Sequence, residues 1–580
     1  MRDTVVTRSL GVSRPITPAV RCGFILPRAA CADWSRYLAR VTADPALSAP
    51  ADRDSATSGV SARAWSVVGL WIVGAFALRT LLASFVPLLP DETYYWEWTR
   101  RLEAGYFDHP PGIALLITAG VRLFGNTVAG VRAGPAIAAL VTHVAAVGAA
   151  WSLAGRGDAG AAAATRVAAL MALLPIATLG LVLATPDAAL FATVMLALVA
   201  VERALASPLR SLASTCWWGL AGVALGLAFV SKYTAVLLPA GLTVACLIHP
   251  ALRARFREVG PWLASAIALL LFSPVVIWNA VTEWVSFRFQ LGHGFGASPR
   301  GNPLSRELEM IGGQVGLASP ILFVLLAVAV WVAMRDGWRS RAVDAPTDLA
   351  PRRFALALIS ALPLGFFAIS AWRRSVEANW PALIYPGAML LLATSRATWA
   401  RARAWRSGLW LAAVLLLVVS LQAWKPFLPL KPDRDPIARA HGWQTLADAV
   451  EQARHDAFLT GTVDRWVAAD RYQDASELAF HLPDQPTLFA LNLGGRPNQY
   501  DLWPTAYEKV RPGDGLVVAF DADVHGDSLA RTVGRWFADT RQGETVTLKR
   551  GSGEVTHRRI WLYRIARDVP PPSPTLVRLP

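Results

Sequence analysis

The chain has 580 residues, of which 54% are hydrophobic and only 17% are charged, with a formal net charge of +15. Soluble domains hold about 25% charged residues, so this composition excludes an ordinary globular protein and indicates burial of apolar surface in lipid. The positive charge does not indicate nucleic-acid binding, because the arginines fall mostly in short loops between apolar segments and not in one basic patch.

The first sixty residues are rich in Arg, Ala, Ser and Pro and lack the charged, apolar and small-residue order of a secretory signal. We expect residues 1–60 to be a disordered cytoplasmic tail. Two cysteines, Cys22 and Cys31, lie in this tail, and the other two, Cys216 and Cys246, lie in apolar stretches. This distribution predicts neither a disulfide framework nor a cysteine metal site.

From residue 61 the chain consists of apolar runs near the ~20 residues that a helix needs to cross a bilayer. The runs predict eleven spans, at residues 65–88, 130–154, 161–183, 187–203, 214–230, 233–249, 260–279, 317–334, 354–372, 379–396 and 408–424. A shorter amphipathic run at 110–124 predicts an interfacial helix within a first outer loop at 89–129. We therefore expect an all-α polytopic membrane bundle over residues 61–425.

Loop charge indicates the direction in which these spans cross the membrane. An alternating path with the N-terminus inside places most loop arginines on the cytoplasmic side, among them Arg253, Arg255 and Arg257. Because Lys and Arg collect in cytoplasmic loops, this bias predicts a cytoplasmic N-terminus and a C-terminus outside. We expect a multi-pass protein of the plasma membrane whose C-terminal domain lies outside the cytoplasm.

Beyond Pro426 the pattern changes to that of a soluble domain in which short helices alternate with strands. Helices are predicted near 441–454, 474–481 and 526–537, and strands near 466–470, 487–492, 515–520, 543–549 and 559–565. Residues 426–569 are therefore expected to form a small extramembrane α/β domain, followed by a Pro-rich tail at 570–580.

Candidate catalytic carboxylates lie on the predicted outer side. Asp91 and Glu92 follow the first span directly, and a partly desolvated carboxylate there can have the raised pKa that suits a general base. Asp91 is the first choice for that base, although an N-cap or a solvated loop acid explains it equally well. Asp187 begins a later span on the same face, where helix capping or a place in a cavity would explain it.

Cations also fall on the predicted outer side, against the usual charge rule. Lys232 lies in a very short outer turn, where it suits a phosphate or, as a structural residue, reaches the lipid headgroups. The pair Arg373 and Arg374 favours bidentate phosphate binding. A base and phosphate-binding cations at one membrane face together predict a lipid-phosphate substrate.

A further set of outer residues predicts a sugar-binding surface. Aromatic faces stack on sugar rings, although tryptophans also suit anchoring at the membrane interface. The set comprises Tyr94, Tyr95, Asp108, Trp278, Asn279, Glu377, Asn379 and Trp380. These residues place the predicted chemistry on the non-cytoplasmic side.

Five segments of the chain resemble bacterial glycosyltransferase family 39, the protein mannosyltransferases and ArnT-like aminoarabinose transferases with the GT-C fold. They are Asp91-Glu92 with Tyr94-Tyr95, Tyr106-Phe107-Asp108-His109-Pro110-Pro111, Thr185-Pro186-Asp187, Ser231-Lys232-Tyr233-Thr234 and Glu377-Ala378-Asn379-Trp380-Pro381. The resemblance covers residues 65–430, and residues 470–473 and 499–504 are similar to the appendage of bacterial members. It implies a GT-C bundle with that appendage.

The resemblance also implies an activity. A sugar would be transferred with inversion from a polyprenyl-phosphate donor to a periplasmic acceptor, which would be lipid A, another glycolipid, a glycan or a protein. Asp91 would be the general base, and Asp187 would help to shape the site. Lys232 with Arg373 or Arg374 would bind the donor phosphate, so that charge stabilisation lowers much of the barrier.

The chain departs from the aminoarabinose transferases at one position of the first loop. His109 stands where they commonly carry lysine before two prolines, and a residue that titrates near neutrality is a weaker phosphate ligand. No metal-ligand spacing is present, so no cofactor is firmly implied. A divalent ion would require Asp91, Glu92 and Asp187 to converge.

Two other classes of protein have many spans. A transporter or lipid flippase also uses charges within the membrane, but it predicts internal repeats with broken helices at matching positions, and the chain shows no such repetition. A non-catalytic membrane scaffold would not need carboxylates and cations on one face. The glycosyltransferase interpretation also gives the outer domain and the acidic first loop a role.

Overall fold

The computed structural model describes residues 62–568, apart from 156, 297–301, 343–348, 396–401, 433–434, 436, 456–463, 493–495 and 524–525. The tails predicted at 1–60 and 570–580 lie outside the described residues. The described chain is a long series of helices followed by a small mixed sheet with three helices.

Helices fill most of the chain between residues 62 and 424. Those of ten or more residues are α1 Ala62–Phe85, α2 Pro90–Thr99, α3 Gly112–Phe124, α4 Val128–Leu153, α5 Asp158–Leu173, α6 Pro186–Ala206, α7 Leu212–Ser231, α8 Leu237–Ile248, α9 Val259–Val281, α10 Val285–Phe295, α11 Pro303–Ala318, α12 Pro320–Ser340, α13 Leu349–Arg373, α14 Ile384–Thr394 and α15 Ala402–Trp424. Short helical turns lie at Pro175–Thr178, Tyr233–Val236, Pro250–Arg253, Ala254–Arg257 and Trp380–Leu383. The predicted helical bundle is confirmed.

Eight of the described helices are long and apolar enough to cross a bilayer, namely α1, α4, α6, α7, α9, α12, α13 and α15. The other three predicted spans are shorter or broken. The prediction at 161–183 overran α5, because Pro175 lacks the N–H that would continue the helix. The span at 233–249 bends by 113° into Pro250–Arg257, and the span at 379–396 is the short helix Trp380–Thr394.

The run predicted as an interfacial helix forms α3, which packs against α4 and against the end of α7. A side chain on Gly112 would come within 2.8 Å of the Ser231 Cα atom, so glycine is needed for this close approach. The contact brings the turn before α3 close to the end of α7, where Lys232 follows. Two helices between α9 and α12, namely α10 and α11, were not predicted, because their sequences contain polar residues and glycines and no long apolar run.

The C-terminal domain holds a five-stranded sheet in the order β2-β1-β3-β5-β4. β1 pairs in parallel with β2 and β3, and β5 pairs antiparallel with β3 and β4. Its elements are α16 Trp443–His455, β1 Arg465–Ala469, α17 Tyr472–His481, β2 Phe489–Ala490, β3 Gly515–Asp521, α18 Gly526–Gly534, β4 Phe537–Arg550 and β5 Gly553–Ala566, with helical turns at Ala438–Ala440, Gln499–Leu502 and Ala506–Lys509. This arrangement confirms the predicted α/β class, although β2 is only two residues long.

The first loop and the C-terminal domain share one apolar core. Helix α2 packs against α17, and the buried rings of Tyr94, Trp98 and Tyr500 belong to the same cluster. Glu103 joins the domain to the bundle, since its carboxylate accepts hydrogen bonds from the indoles of Trp278 (2.7 Å) and Trp503 (3.0 Å). The C-terminal domain is therefore fixed against the residues that follow α2.

Candidate active site

A cavity of about 400 Å³ lies where the first loop, the turn after α7, α10 and the C-terminal domain meet. This volume is in the range of small-molecule sites, roughly 300–1,000 Å³. Apolar side chains from three segments of the bundle contribute to its lining, namely Val236, Leu237, Leu291, Phe366 and Phe367. Its polar and aromatic lining includes Asp91, Tyr94, Tyr95, Asp108, His109, Lys232, Gln290, Trp380, Tyr472 and Arg496. Seven of the residues predicted from sequence to act in catalysis or binding are therefore brought to one cavity, namely Asp91, Tyr94, Tyr95, Asp108, His109, Lys232 and Trp380.

Asp91 lies in the first turn of α2, where the helix dipole favours a negative charge. Its side chain is 39% exposed, and Oδ2 lies 3.5 Å from Nη2 of Arg439 in the C-terminal domain. Burial raises the pKa of Asp91 above its ordinary value, while the cations Arg439 and Arg496 oppose this increase. The result is a carboxylate on the cavity surface with increased proton affinity, as a general base requires.

Glu92, the neighbour of Asp91, faces away from the cavity into the bundle. It is fully buried, and Arg132 of α4 binds it through Nε (2.8 Å) and Nη2 (2.5 Å). The backbone N–H groups of Leu89 and Ala184 donate to the same carboxylate. The Glu92 carboxylate thus connects α4 with the segment between α1 and α2. This geometry fits a positioning role better than the catalytic role predicted from sequence.

Asp187 and Lys232 form a buried ion pair beside the cavity. Lys232 Nζ lies 2.8 Å from Asp187 Oδ1, and the side chains are 9% and 8% exposed. The side-chain amide of Asn379 donates to the other oxygen, Oδ2, at 2.8 Å. Asp187 begins α6, Lys232 follows α7, and Asn379 precedes the short helix before α14. Three predicted site residues from distant parts of the chain are therefore in direct contact.

The first loop and the C-terminal domain meet through Asp108. Its Oδ2 accepts a 2.6 Å hydrogen bond from the Tyr94 hydroxyl, and its Oδ1 accepts one of 2.8 Å from Nη1 of Arg496. Nη2 of Arg496 donates to the Tyr472 hydroxyl at 2.8 Å. Burial lowers the pKa of Arg496 and the Asp108 carboxylate raises it, with a net increase, so the guanidinium stays charged.

Sequence reasoning missed Arg496 and gave Tyr472 no role in the cavity. Arg496 precedes Pro497 and lies just before the turn Gln499–Leu502. Its guanidinium carbon lies 5.2 Å from the ring centroid of Phe289 and 5.1 Å from that of Tyr472. The sequence Gly-Gly-Arg-Pro was the available signal, because glycine and proline are typical of loops and loops often carry binding residues.

The chain is similar to known proteins both in sequence and in fold. The family model described as dolichyl-phosphate-mannose-protein mannosyltransferase matches residues 108–278. The chain is 27% identical over 521 residues to the lipid A galacturonosyltransferase RgtD of Rhizobium johnstonii, with 86% of this chain and 98% of that protein covered. It also matches the structure of ArnT from Cupriavidus metallidurans in the apo state, with TM-score 0.57, 16% identity and coverage of 86% and 98%. The chain is a GT-C glycosyltransferase.

A second structure of ArnT, bound to undecaprenyl phosphate, matches with TM-score 0.56, 16% identity and coverage of 87% and 98%. The likeness to family 39 predicted from five short segments is thereby confirmed, as is the GT-C fold. The transporter and scaffold alternatives are set aside, and the protein is a multi-pass membrane enzyme.

Several predicted residues of this glycosyltransferase lie outside the lining of the cavity. Trp278 is held by Glu103, and Asn279 lies close to the hydroxyl of Tyr233, with the amide nitrogen 3.4 Å from that oxygen. Arg373 and Glu377 are exposed. Arg374 donates to the carbonyl of Gly292 in α10 at 3.2 Å, and its guanidinium carbon lies 6.0 Å from the ring centroid of Trp380.

The four predicted phosphate ligands lie in two places. Lys232 and His109 line the cavity together with Arg496, whereas Arg373 and Arg374 are not part of its lining. Arg373 ends α13, and the backbone N–H of Arg374 still bonds to the carbonyl of Ser370, so the helix keeps this pair away from the lining. Arg496, the arginine that does line the cavity, belongs to the C-terminal domain.

The predicted carboxylates of the glycosyltransferase do not converge on a metal site. Over the part of the chain that the structure describes, no three His, Cys, Asp or Glu side chains are grouped so that they could hold a metal ion. Asp91 faces Arg439, Glu92 binds Arg132, and Asp187 binds Lys232. Each carboxylate therefore has a cationic side chain of its own.

Proposed function

We propose that this enzyme transfers a sugar from a polyprenyl-phosphate donor to lipid A at the periplasmic face of the inner membrane. The observation that carries the proposal is the shared cavity, in which a carboxylate with raised pKa and two cations lie beside apolar side chains. A related protein is a lipid A galacturonosyltransferase, and a protein of the same fold has been crystallised with undecaprenyl phosphate.

The chemistry of the cavity supports a binding site for the donor there. Val236, Leu237, Leu291, Phe366 and Phe367 would contact the first units of the prenyl chain, which is apolar. Lys232 would bind the phosphate, because a lysine has three N–H donors and its contact with Asp187 uses only one. In a cavity with little water, such charge-assisted hydrogen bonds are about twice as strong as neutral ones.

The reaction would proceed as a single displacement. Asp91 takes the proton from an acceptor hydroxyl while that oxygen forms a bond to the anomeric carbon of the sugar. The bond between the anomeric carbon and the phosphate oxygen breaks, and the electron pair leaves with the polyprenyl phosphate. Lys232 stabilises the charge that develops on this leaving group, so no general acid is needed. Attack from the opposite side inverts the anomeric configuration.

For the donor sugar we propose a hexuronic acid. Arg496 lines the cavity between the rings of Tyr472 and Phe289, which suits a flat cation that binds a carboxylate while aromatic faces contact the sugar ring. His109 in place of lysine sets the chain apart from the aminoarabinose transferases. The related galacturonosyltransferase supports the same class of donor.

The deciding experiment measures transfer of radiolabelled sugar in membranes that contain equal amounts of wild type or Asp91→Asn. The donors are polyprenyl-phosphate carriers of galacturonic acid, galactose and aminoarabinose, with lipid A as acceptor. We expect transfer from the galacturonic acid carrier and a loss of ~10²–10⁴-fold in Asp91→Asn, the usual contribution of a general base. Asp158→Asn, an exposed carboxylate at the start of α5, is the matched control and should retain full transfer.

Each result has a separate meaning. Equal transfer by wild type and Asp91→Asn would remove Asp91 as the base. Transfer of galactose in preference to galacturonic acid would overturn the proposed donor class but not the reaction. No transfer from any of these carriers would contradict the proposed donor and acceptor together.

A further inference from the structure

Asp91 belongs to two cavities. Besides the one described above, it lines a cleft of about 340 Å³ formed mainly by the C-terminal domain. Arg439, Arg471 and Arg558 contribute to this second cleft, and none of them lines the first. A single carboxylate therefore faces an apolar-walled cavity and a strongly polar cleft.

The inner part of the cleft is a closed network of charges. Arg558 is 2% exposed at its side chain and binds Asp474 through Nε (2.5 Å) and Asp521 through Nη1 (3.3 Å). Arg471 also contacts both carboxylates, at 3.1 and 3.2 Å. Because these charges balance, the network fixes the shape of the cleft but leaves its inner part with little net charge.

The outer part of the cleft has an available cation. The side chain of Arg439 is 60% exposed, and its contact with Asp91 is long, at 3.5 Å. Surface ion pairs of this kind contribute only about 0–1 kcal/mol, so a ligand oxyanion could replace Asp91 at little cost. The planar guanidinium of Arg439 can thus donate two parallel hydrogen bonds to a ligand oxyanion at this position.

We infer that the cleft binds the acceptor, a saccharide headgroup that carries an oxyanion, with Arg439 as its anchor. This inference rests on the proposed function. A base must contact the acceptor hydroxyl and lie beside the donor at the same time, and only a residue shared by the two cavities meets both requirements. When the acceptor oxyanion binds Arg439, Asp91 loses its cationic partner and becomes a stronger base than it is in the free enzyme. Acceptor binding and activation of the base are thereby coupled.

The test compares the KM values of the two substrates in the full-length enzyme. Arg439→Gln is measured against wild type, with diphosphoryl lipid A and fully dephosphorylated lipid A as acceptors and the donor that wild type uses. Because Arg439 also affects the proton affinity of Asp91, each enzyme is measured on the alkaline plateau of its own pH profile. Arg535→Gln, an exposed arginine outside both linings, is the matched control and should behave as wild type.

We expect Arg439→Gln to raise the KM for diphosphoryl lipid A by about 10-fold or more, the effect of losing one charge-assisted hydrogen bond. The KM for the donor should remain within about twofold. Dephosphorylated lipid A should be a poor acceptor for wild type and equally poor for the variant. An unchanged acceptor KM, or equal increases for acceptor and donor, would overturn the inference. Absence of transfer by wild type would instead count against the proposed function.

Discussion

Arg496 of the C-terminal domain donates a 2.8 Å hydrogen bond from Nη1 to Oδ1 of Asp108, 388 positions earlier in the chain. The Asp108 side chain is 7% exposed, and its second oxygen is bound by Tyr94. The backbone N–H of Gln499 donates in turn to the Tyr94 hydroxyl at 2.8 Å. The C-terminal domain therefore supplies one wall of the cavity and the partner of its most buried carboxylate.

Arg496→Gln is expected to lower transfer more than it lowers stability. The variant leaves Asp108 without its cation, which costs roughly 1–3 kcal/mol for a hydrogen bond to a charged group, at the lower end because the Arg496 side chain is 43% exposed. Transfer should fall about 10–100-fold because the sugar loses a ligand. The double variant Asp108→Asn with Arg496→Gln should regain thermal stability in detergent but not transfer. Recovery of both would show that the pair is purely structural.

Glu92→Gln should mainly lower stability, whereas Asp91→Asn should mainly lower transfer. Loss of the Glu92 charge leaves the buried Arg132 uncompensated, which should cost roughly 3–5 kcal/mol and lower the melting temperature in detergent. Asp91→Asn should keep the wild-type melting temperature and lose transfer. Melting curves and transfer rates of the two purified variants test this contrast. A stable but inactive Glu92→Gln would restore the catalytic role that the sequence first indicated.

The pH dependence of kcat/KM should report the titration of Asp91. Burial raises the pKa of this carboxyl, and only its deprotonated form can accept a proton, so kcat/KM should fall as the pH decreases through that raised pKa. Arg439 lowers the same pKa, so Arg439→Gln should move the acid limb to higher pH. The change should stay below about one pH unit, because Arg439 is exposed to solvent. A limb that stays in place or moves to lower pH would contradict Asp91 as the titrating base.

Lys232→Gln should weaken binding of the donor and leave the acceptor unaffected. The variant removes the cation that would bind the phosphate, so the donor KM should rise by about 10-fold or more. Binding of undecaprenyl phosphate to the purified enzyme provides a measurement without turnover. Asp187→Asn is the companion variant, since it keeps the lysine but removes the partner at 2.8 Å. Wild-type donor affinity in Lys232→Gln would exclude this lysine from the phosphate site.

Asp470→Asn should stabilise the enzyme above neutral pH. Burial and the nearby Asp474 raise the pKa of Asp470 to about 7, so the folded state binds a proton that the unfolded chain releases near its ordinary value. The free energy of unfolding then decreases as the pH rises from the ordinary pKa of an aspartate to the raised pKa of Asp470. Asparagine does not ionise, so the variant does not lose this stability. Melting temperatures should differ little at pH 4, and at pH 8 the variant should be higher, by roughly 2–4 °C for each kcal/mol recovered. A difference that is larger at pH 4 would reverse the expected sign.

The sequence predicted the elements of this fold well where local patterns decide them. Long apolar runs predicted eight of the described helices, and strands β1, β3, β4 and β5 overlap strands that the sequence predicted. Proline shortened α5, and the polar residues and glycines of α10 and α11 concealed two helices, of which α10 lines the cavity. The hydropathy of a segment does not show where a proline removes a backbone hydrogen bond. It also does not show where packing against neighbouring elements stabilises a short helix.

The sequence pointed to residues of the bundle that lie in or beside the cavity, and it gave no indication of Arg496, which the C-terminal domain brings to the same cavity. Asp91, Asp187 and Lys232 were found because charges beside apolar runs stand out. Glu92 has the same local pattern as Asp91, and only the position of Arg132 distinguishes them. Arg496 lies in a polar domain where arginine is common, so its place in the cavity depends on packing between α2 and α17.

The hydrogen bonds of Glu103 have a consequence for the modularity of this enzyme. One half-buried carboxylate binds an indole from the bundle and an indole from the appended domain. A chimaera that grafts the appendage of a relative after residue 425 would need a donor where Trp503 now lies, as well as a cation where Arg496 now lies. An exchange of the appendage that preserves these contacts would therefore have to include the first loop as well.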